Sequence, residues 1–171
     1  MTVDEFKQLP ETGPFYYELR HGELVEVPRP KFRHSLIQAQ LLRLLEPHLN
    51  ETYWASIEVP FRPVPEHELR SADVAVVILA RLQQGDPDDF LQGAPELVIE
   101  VLSPSNTVQE MSDKERLCLE NGCREFWVVD PMLLQVKVST PDGLTRTYQS
   151  GHEIPLELFG AAPLPVARIF E

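Results

Sequence analysis

With 171 residues, 43% of them apolar and 25% charged, the chain has about the length and composition of one soluble domain and is too apolar for disorder. Its formal charge of -12 excludes a surface that coats DNA through generic basic contacts, but not a small site that meets phosphate through bound cations. No run approaches the roughly 18 consecutive apolar residues of a membrane span, and the first seven residues lack the basic-then-apolar order of a secretory signal. The two cysteines, Cys118 and Cys123, lack metal-finger spacing and fit reduced thiols. These features predict one cytoplasmic domain over residues 1–171 with no membrane partner.

Thr2 is placed to cap a short helix over residues 3–9 that Pro10 ends. Residues 16–27 read as a hairpin, with Tyr17, Leu19, Leu24 and Val25 flanking a turn at His21-Gly22. Between residues 32 and 49 the spacing becomes helical, and Leu36, Ile37, Gln40, Leu41, Leu44, Leu45 and Leu49 trace one broad stripe. A strand over 53–61 follows. Residues 72–80 (ADVAVVILA) and 97–102 (LVIEVL) are nearly continuous aliphatic runs, the pattern of strands covered on both faces. A helix over 107–121 ends at Gly122, and 126–129 make another buried strand closed by Asp130-Pro131. Residues 136–139 and 144–148 pair across the turn Pro141-Asp142-Gly143. The tail, 155–171, alternates prolines with apolar residues and is expected to pack on the core. This order specifies an α/β (α+β) fold with one mixed sheet flanked by helices.

Glu100 is the first candidate for chemistry, because every neighbour in Leu97-Val98-Ile99-Glu100-Val101-Leu102 favours burial. An ionised carboxylate there costs several kcal/mol unless it is paired, metal-bound or protonated. The competing reading is an edge strand with Glu100 at a wet rim. Asp73 poses the same question at the start of the other aliphatic run, where an Asp can also simply cap a turn. Two acids at the ends of adjacent buried strands would converge on an oxygen-rich pocket that suits Mg2+ or Mn2+. Lys114 lies beside Met111 and one turn from Cys118, on a helix whose apolar stripe also takes in Val108. It is either a snorkelling stem with a solvated head or a cation directed back over the acids, where it could steady phosphate or a water losing its proton.

Taken together, Glu100-Val101-Leu102-Ser103-Pro104-Ser105, Lys114, Gly122 and Glu125-Phe126-Trp127-Val128-Val129-Asp130-Pro131 resemble the Uma2 family (formerly DUF820), grouped with the PD-(D/E)XK nuclease-like proteins. Tyr17-Glu18-Leu19-Arg20-His21-Gly22-Glu23-Leu24-Val25-Glu26, the helix-opening His34 and Ala72-Asp73-Val74-Ala75-Val76 fit the same family, so the resemblance spans essentially the whole chain. It implies a restriction-endonuclease-like fold with a divalent-metal site, Asp73 matching the first acid and Glu100 the second. The lysine usually found two residues after the second acid is Leu102 here, and the resemblance places its role on the helix at Lys114. The chain departs from the family's pattern at three points: Ser71-Ala72 replace the proline before the first acid, Glu110 stands where Asp is commoner, and Cys118 where Tyr is usual. Glu18 is a candidate third acid near the metal and His34 a candidate to polarise phosphate or water. Their alternatives are a strand-surface acid and a helix-start polar residue.

Two functions of different class follow. In the first, Asp73 and Glu100 hold Mg2+ or Mn2+ and Lys114 assists hydrolysis of DNA phosphodiesters. In the second, a nuclease-like domain without activity binds a partner, which the acidic balance favours because phosphate affinity normally comes from Lys and Arg. Retention of a costly buried Glu favours the enzyme. A paired-carboxylate glycosidase is weaker, since no aromatic sugar platforms flank the acids. Phe126, Trp127 and the proline-rich tail are expected to offer apolar surface for a homodimer.

Overall fold

A computed structural model describes residues 1–11 and 16–171. The N-terminal part comprises α1 (Val3–Phe6), the hairpin β1 (Tyr16–Arg20) and β2 (Glu23–Val27), α2 (Phe32–Leu45), β3 (Tyr53–Arg62), β4 (Arg70–Ile78), α3 (Leu79–Gln84) and β5 (Leu91–Gln92). Then come β6 (Leu97–Val101), α4 (Val108–Glu120), β7 (Glu125–Asp130), β8 (Gln135–Ser139), β9 (Thr145–Gln149) and a last hairpin, β10 (Glu153–Leu156) and β11 (Ala161–Pro165). Seven strands form one mixed sheet in the order β5-β3-β4-β6-β7-β8-β9, with β3/β5 and β6/β7 parallel and the other neighbours antiparallel. The expected α/β architecture, N-terminal hairpin included, is present.

Most boundaries agree with the sequence reading, and the differences have local causes. A capping box between Thr2 and Glu5 starts α1, but Gln8 and Leu9 then bond to Glu5 and Phe6 in tighter turns, so the helix stops at Phe6 rather than residue 9. Pro47 brings no amide for the next helical bond, so α2 ends at Leu45 and continues as a 3-10 turn over Glu46–His48. The aliphatic run 72–80 leaves the sheet at Ile78, and Leu79 and Ala80 open the unexpected α3. Leu36 and Val108, expected inside, are exposed. The buried faces are Ile37, Gln38, Leu41, Leu44 and Leu45 on α2 and Met111, Lys114, Leu117 and Cys118 on α4.

The sheet is covered on both sides. Under α2, Ile37, Leu41, Leu44 and Leu45 pack on Val74, Val76, Leu97, Ile99, Val101 and Trp127, and the tail adds Ile154, Leu156, Leu164, Val166 and Ile169. Under α4, Met111 and Cys118 pack on Val59, Phe61, Ala72, Ala75, Val98, Phe126 and Val128. Every residue of β6 is therefore buried, and Glu100 sits in a central strand rather than at a wet edge. Phe126 and Trp127 are wholly inside, so they offer no surface to a second copy. Both cysteines are buried and unpaired with each other.

One irregularity positions everything that follows. In β4, Val74 and Val76 face α2, yet Ala72, two residues from Val74, faces α4. In β3, Tyr53 and Ala55 pack under α2 whereas Val59 and Phe61 pack under α4. Strict alternation forbids both, so the two strands roll over together between Ile57↔Val74 and Val59↔Ala72. Glu58 and Asp73 lie opposite each other at the roll, outside the ladder, and Glu58 takes the left-handed backbone with φ 51. A non-glycine residue held there costs on the order of 1–3 kcal/mol. Glu58→Gly is expected to be neutral or stabilising by up to about 1 kcal/mol in urea unfolding, whereas Glu58→Val should cost about 1–3 kcal/mol. Equal stability of the two variants would show that the backbone at Glu58 is not strained.

Candidate functional site

The N-terminal hairpin docks on the sheet through one reciprocal pair of bonds, Leu19 amide to Leu69 carbonyl and back, each 2.9 Å. That contact lays the preceding residue, Glu18, against β4, where its Oε1 accepts the Ser71 amide at 3.0 Å and its Oε2 accepts Arg20 Nε at 2.9 Å. From the far side, a capping box between Thr107 and Glu110 starts α4 and sets which face turns inward. Lys114 is on that face. Its head is not solvated: at 8% exposure, Nζ lies 2.5 Å from Ser71 O, 2.8 Å from Glu100 Oε1 and 3.9 Å from Glu18 Oε1.

From Glu100 the line of contacts runs on to Asp73 and α2. Glu100 Oε1 accepts the Asp73 amide at 3.4 Å, and Asp73 Oδ2 accepts the Val101 amide at 2.7 Å, so each acid is tied to the other's strand. Asp73 Oδ1 is 3.1 Å from His34 Nε2 and 3.3 Å from Gln38 Nε2, which also donates to Glu58. The structure thus brings all five residues picked from sequence, Glu18, His34, Asp73, Glu100 and Lys114, into one continuous line.

Two members were missed. Glu58 and Gln38 complete the site, and His34, Glu58 and Asp73 each place one ligand atom within 4.8 Å of the others. Glu100 stands outside that trio among the described residues. Neither residue stands out in the sequence: Gln38 lies inside the helix 32–49 but outside its apolar stripe, and Glu58 inside the strand 53–61. The available signal was the antiparallel register, which sets Glu58 opposite Asp73. His34 Nε2 is buried and, despite its closeness to Asp73, has no aligned hydrogen-bond partner among the described residues. An imidazole nitrogen with two carboxylates is a donor set that fits a divalent cation such as Mn2+.

Burial and charge act against each other across the site. Burial raises Glu100 to about 8, with Asp73's charge adding to the rise and Lys114 opposing it. Burial also raises Glu58. Burial would lower Lys114, but Glu100, Glu18 and Asp73 outweigh it and hold the ammonium charged well above its ordinary range. For Glu18, burial pushes upward, yet Lys114, Arg20 and the Ser71 amide bring it below the usual carboxylate range. Burial depresses His34, and the Asp73 carboxylate more than reverses this.

Beside the site, a closed ring of polar contacts through His21, Glu68, Arg70 and Asp113 fixes α4 to the hairpin and β4. His21 Nδ1 meets Glu68 at 2.7 Å, Glu68 meets Arg70 Nε at 2.8 Å, Arg70 Nη2 meets Asp113 at 2.9 Å, and Asp113 returns to His21 Nε2 at 3.0 Å. Arg20 to Glu110 at 3.1 Å makes a second clamp one helical turn away.

The fold is thus a seven-stranded mixed sheet flanked by helices, with an acid-rich site at the roll shared by β3 and β4. The family model Uma2, described as "Putative restriction endonuclease", matches residues 3–167, and the chain belongs to that family. The chain is also similar to a crystal structure at 1.96 Å of "a putative nuclease belonging to DUF820 from Anabaena variabilis ATCC 29413". The identity is 24%, the TM-score 0.85, and the match covers 99% of this chain and 97% of that one. No curated protein matches the chain.

The raised carboxyl of Glu100 has a consequence for stability. Its folded-state value exceeds the unfolded value of 4.5, so the stability it contributes is complete below pH 4.5 and is lost as pH rises through about 8. Lys114 and Glu18 shift outside this window, and do not offset the loss. Without metal, the protein should be more stable at pH 5.5 than at pH 8.5. Glu100→Gln should flatten that profile and gain about 1–3 kcal/mol at pH 8.5, read from urea melts at both pH values. A wild-type profile that rises with pH would overturn this assignment.

Proposed function

We propose that the protein is a divalent-metal-dependent DNA endonuclease that hydrolyses phosphodiester bonds. The observation that carries this reading is the trio His34, Glu58 and Asp73, with ligand atoms within 4.8 Å, set beside the buried Lys114–Glu100 pair at 2.8 Å. Structural ion pairs alone would not need a strained glutamate beside a buried imidazole that meets a carboxylate at 3.1 Å. His34, Glu58 and Asp73 would hold the cation, Mg2+ or Mn2+. When bound, it supplies Lewis acidity and a more acidic water.

The chain's own groups then divide the work. Hydrolysis forms a bond from the water oxygen to phosphorus and breaks one phosphorus–oxygen ester bond. The water's proton needs an acceptor and the leaving oxygen needs a donor. Glu100, raised to about 8, is matched to exchange a proton near neutral pH. Lys114 stays charged and directs positive potential at the negative charge that grows on phosphate, while Ser71 O and Glu18 hold its ammonium in place. Arg70, through Asp113, holds the helix that carries Lys114.

Calorimetry with Mn2+ should give one binding event for the wild type and none for Asp73→Ala. Lys114→Met should keep metal binding but lose about 100- to 1,000-fold in cleavage of DNA. Loss of the lysine leaves Glu18, Glu100 and Asp73 without their shared cation, so metal-free Lys114→Met should melt lower than wild type and recover most of the difference on adding Mn2+. Wild type that binds Mn2+ yet cleaves no form of DNA would leave the non-catalytic binding module as the function.

A further inference from the structure

The acidic balance of the chain is not uniform. Residues 28–45 contain Arg29, Lys31, Arg33 and Arg43 and none of the 27 acidic residues, so the remainder carries 11 basic and 27 acidic residues, a charge of -16. Three of the four cations precede His34 directly, in Arg29-Pro30-Lys31-Phe32-Arg33-His34. All of 29–33 is exposed, and the aromatic in its middle, Phe32, is 79% exposed at the first turn of α2. Tyr16, 49% exposed and two residues before Glu18, places its ring 5.1 Å from the Arg29 guanidinium. Arg33 reaches the Pro131 carbonyl at 3.2 Å, so the strip is anchored at its other end too. Both chain segments that form it run straight into the site, one at Glu18 and the other at His34.

Folding does not explain an exposed phenylalanine flanked by two cations, since Phe32 contributes to neither packed core. Basic side chains interleaved with exposed ring faces are what an unpaired polynucleotide requires: phosphates pair with the cations, and bases, free of partners, stack on the rings. A duplex hides its base faces. It also needs a protein footprint of roughly 1,000–2,500 Å2, and with 12 basic and 27 acidic residues outside the strip, a charge of -15, that footprint would press phosphates against acids. A single strand can follow a narrow strip and avoid them. We infer that Tyr16, Arg29, Lys31, Phe32 and Arg33 form a docking strip for single-stranded DNA that leads the strand to the metal site. The inference deepens the nuclease reading and rests on it for the strand's destination, but the strip can be tested without metal or cleavage.

The test is binding of a labelled 30-nucleotide thymidine strand in EDTA at about 50 mM salt, against a 30-base-pair duplex and a 30-nucleotide uridine strand. Wild type should prefer the thymidine strand to the duplex by at least about 10-fold. The triple variant Arg29→Glu, Lys31→Glu, Arg33→Glu should weaken binding by about 10- to 100-fold and reduce the salt slope by about 2, three contacts at roughly 0.7 each. Phe32→Ala should lose about 5- to 150-fold with the salt slope unchanged, as expected for one stacked base. Lys31→Gln, a milder change at an exposed side chain, should lose about one third of the slope change and guards against misfolding of the triple variant. Preference for duplex or for the uridine strand, or variants that bind as wild type does, would overturn the inference. Mn2+ calorimetry on the same proteins separates the two readings. A strip that binds beside a site that takes no metal refutes the nuclease alone, and a metal-binding wild type with an inert strip refutes the strip alone.

Discussion

An ammonium and a glutamate carboxyl group 2.8 Å apart, both almost fully removed from water, are the contact on which the rest of this molecule turns. Desolvating two charges costs several kcal/mol each, and a well-formed pair roughly recovers it only when the spare donors and acceptors are also satisfied. Here they are. Ser71 O accepts a further proton of Lys114, the Glu18 carboxylate faces the ammonium at 3.9 Å, and the Asp73 amide donates to Glu100. Glu18, Ser71 and Glu100 come from three different strands, so satisfying one buried cation fixes β1, β4, β6 and α4 relative to one another. The acids outnumber it, and that surplus of negative charge is what makes the pocket receptive to a divalent cation.

Placing Lys114 in turn requires the helix that bears it to be held beside the lysine, at Asp113. The ring of His21, Glu68, Arg70 and Asp113 does so with Arg70 almost fully buried, and burial of a guanidinium is tolerable because Glu68 and Asp113 meet it from two sides. The N-terminal hairpin is thereby part of the site's scaffold and not an appendage. It delivers Glu18 by the Leu19–Leu69 contact and His21 by the turn beside it.

Much of this was legible in the chain. Glu100 and Asp73 stand out because charged residues interrupt aliphatic runs, and such interruptions must be compensated in space. Lys114 was legible from its place beside Met111, though not its depth, since a lysine on an inward stripe usually keeps its head wet. Glu58 and Gln38 were not legible. Nothing in Ser56-Ile57-Glu58-Val59 distinguishes it from a strand with a solvent-facing acid, and only the pairing of β3 with β4 puts Glu58 opposite Asp73. Phe126 and Trp127 carry two readings in the sequence, a buried strand and apolar surface for a second copy, and only the first holds, because periodicity cannot tell a strand covered on both faces from one that awaits a partner. Leu36 erred in the opposite sense: it lies about 100° around α2 from Ile37, just beyond the stripe that packs.

The shared roll of β3 and β4 also sets where this chain can change length. Side chains alternate with a period of two, so inserting or deleting one residue in a strand exchanges its faces from that point onward. In most strands the result is an inverted core. At 57–59 and 72–74 the faces have already been exchanged once, by conformation and not by count, and the site lies on the exchange itself. An insertion there would both invert the packing of Val59 and Phe61 and separate Glu58 from Asp73. The connection from 63 to 69 between the same two strands lies beyond the roll, and added residues in its exposed part, 65–67, would leave the register of both strands untouched. Variation in length among relatives should therefore collect in that connection and stop abruptly at the strands on either side.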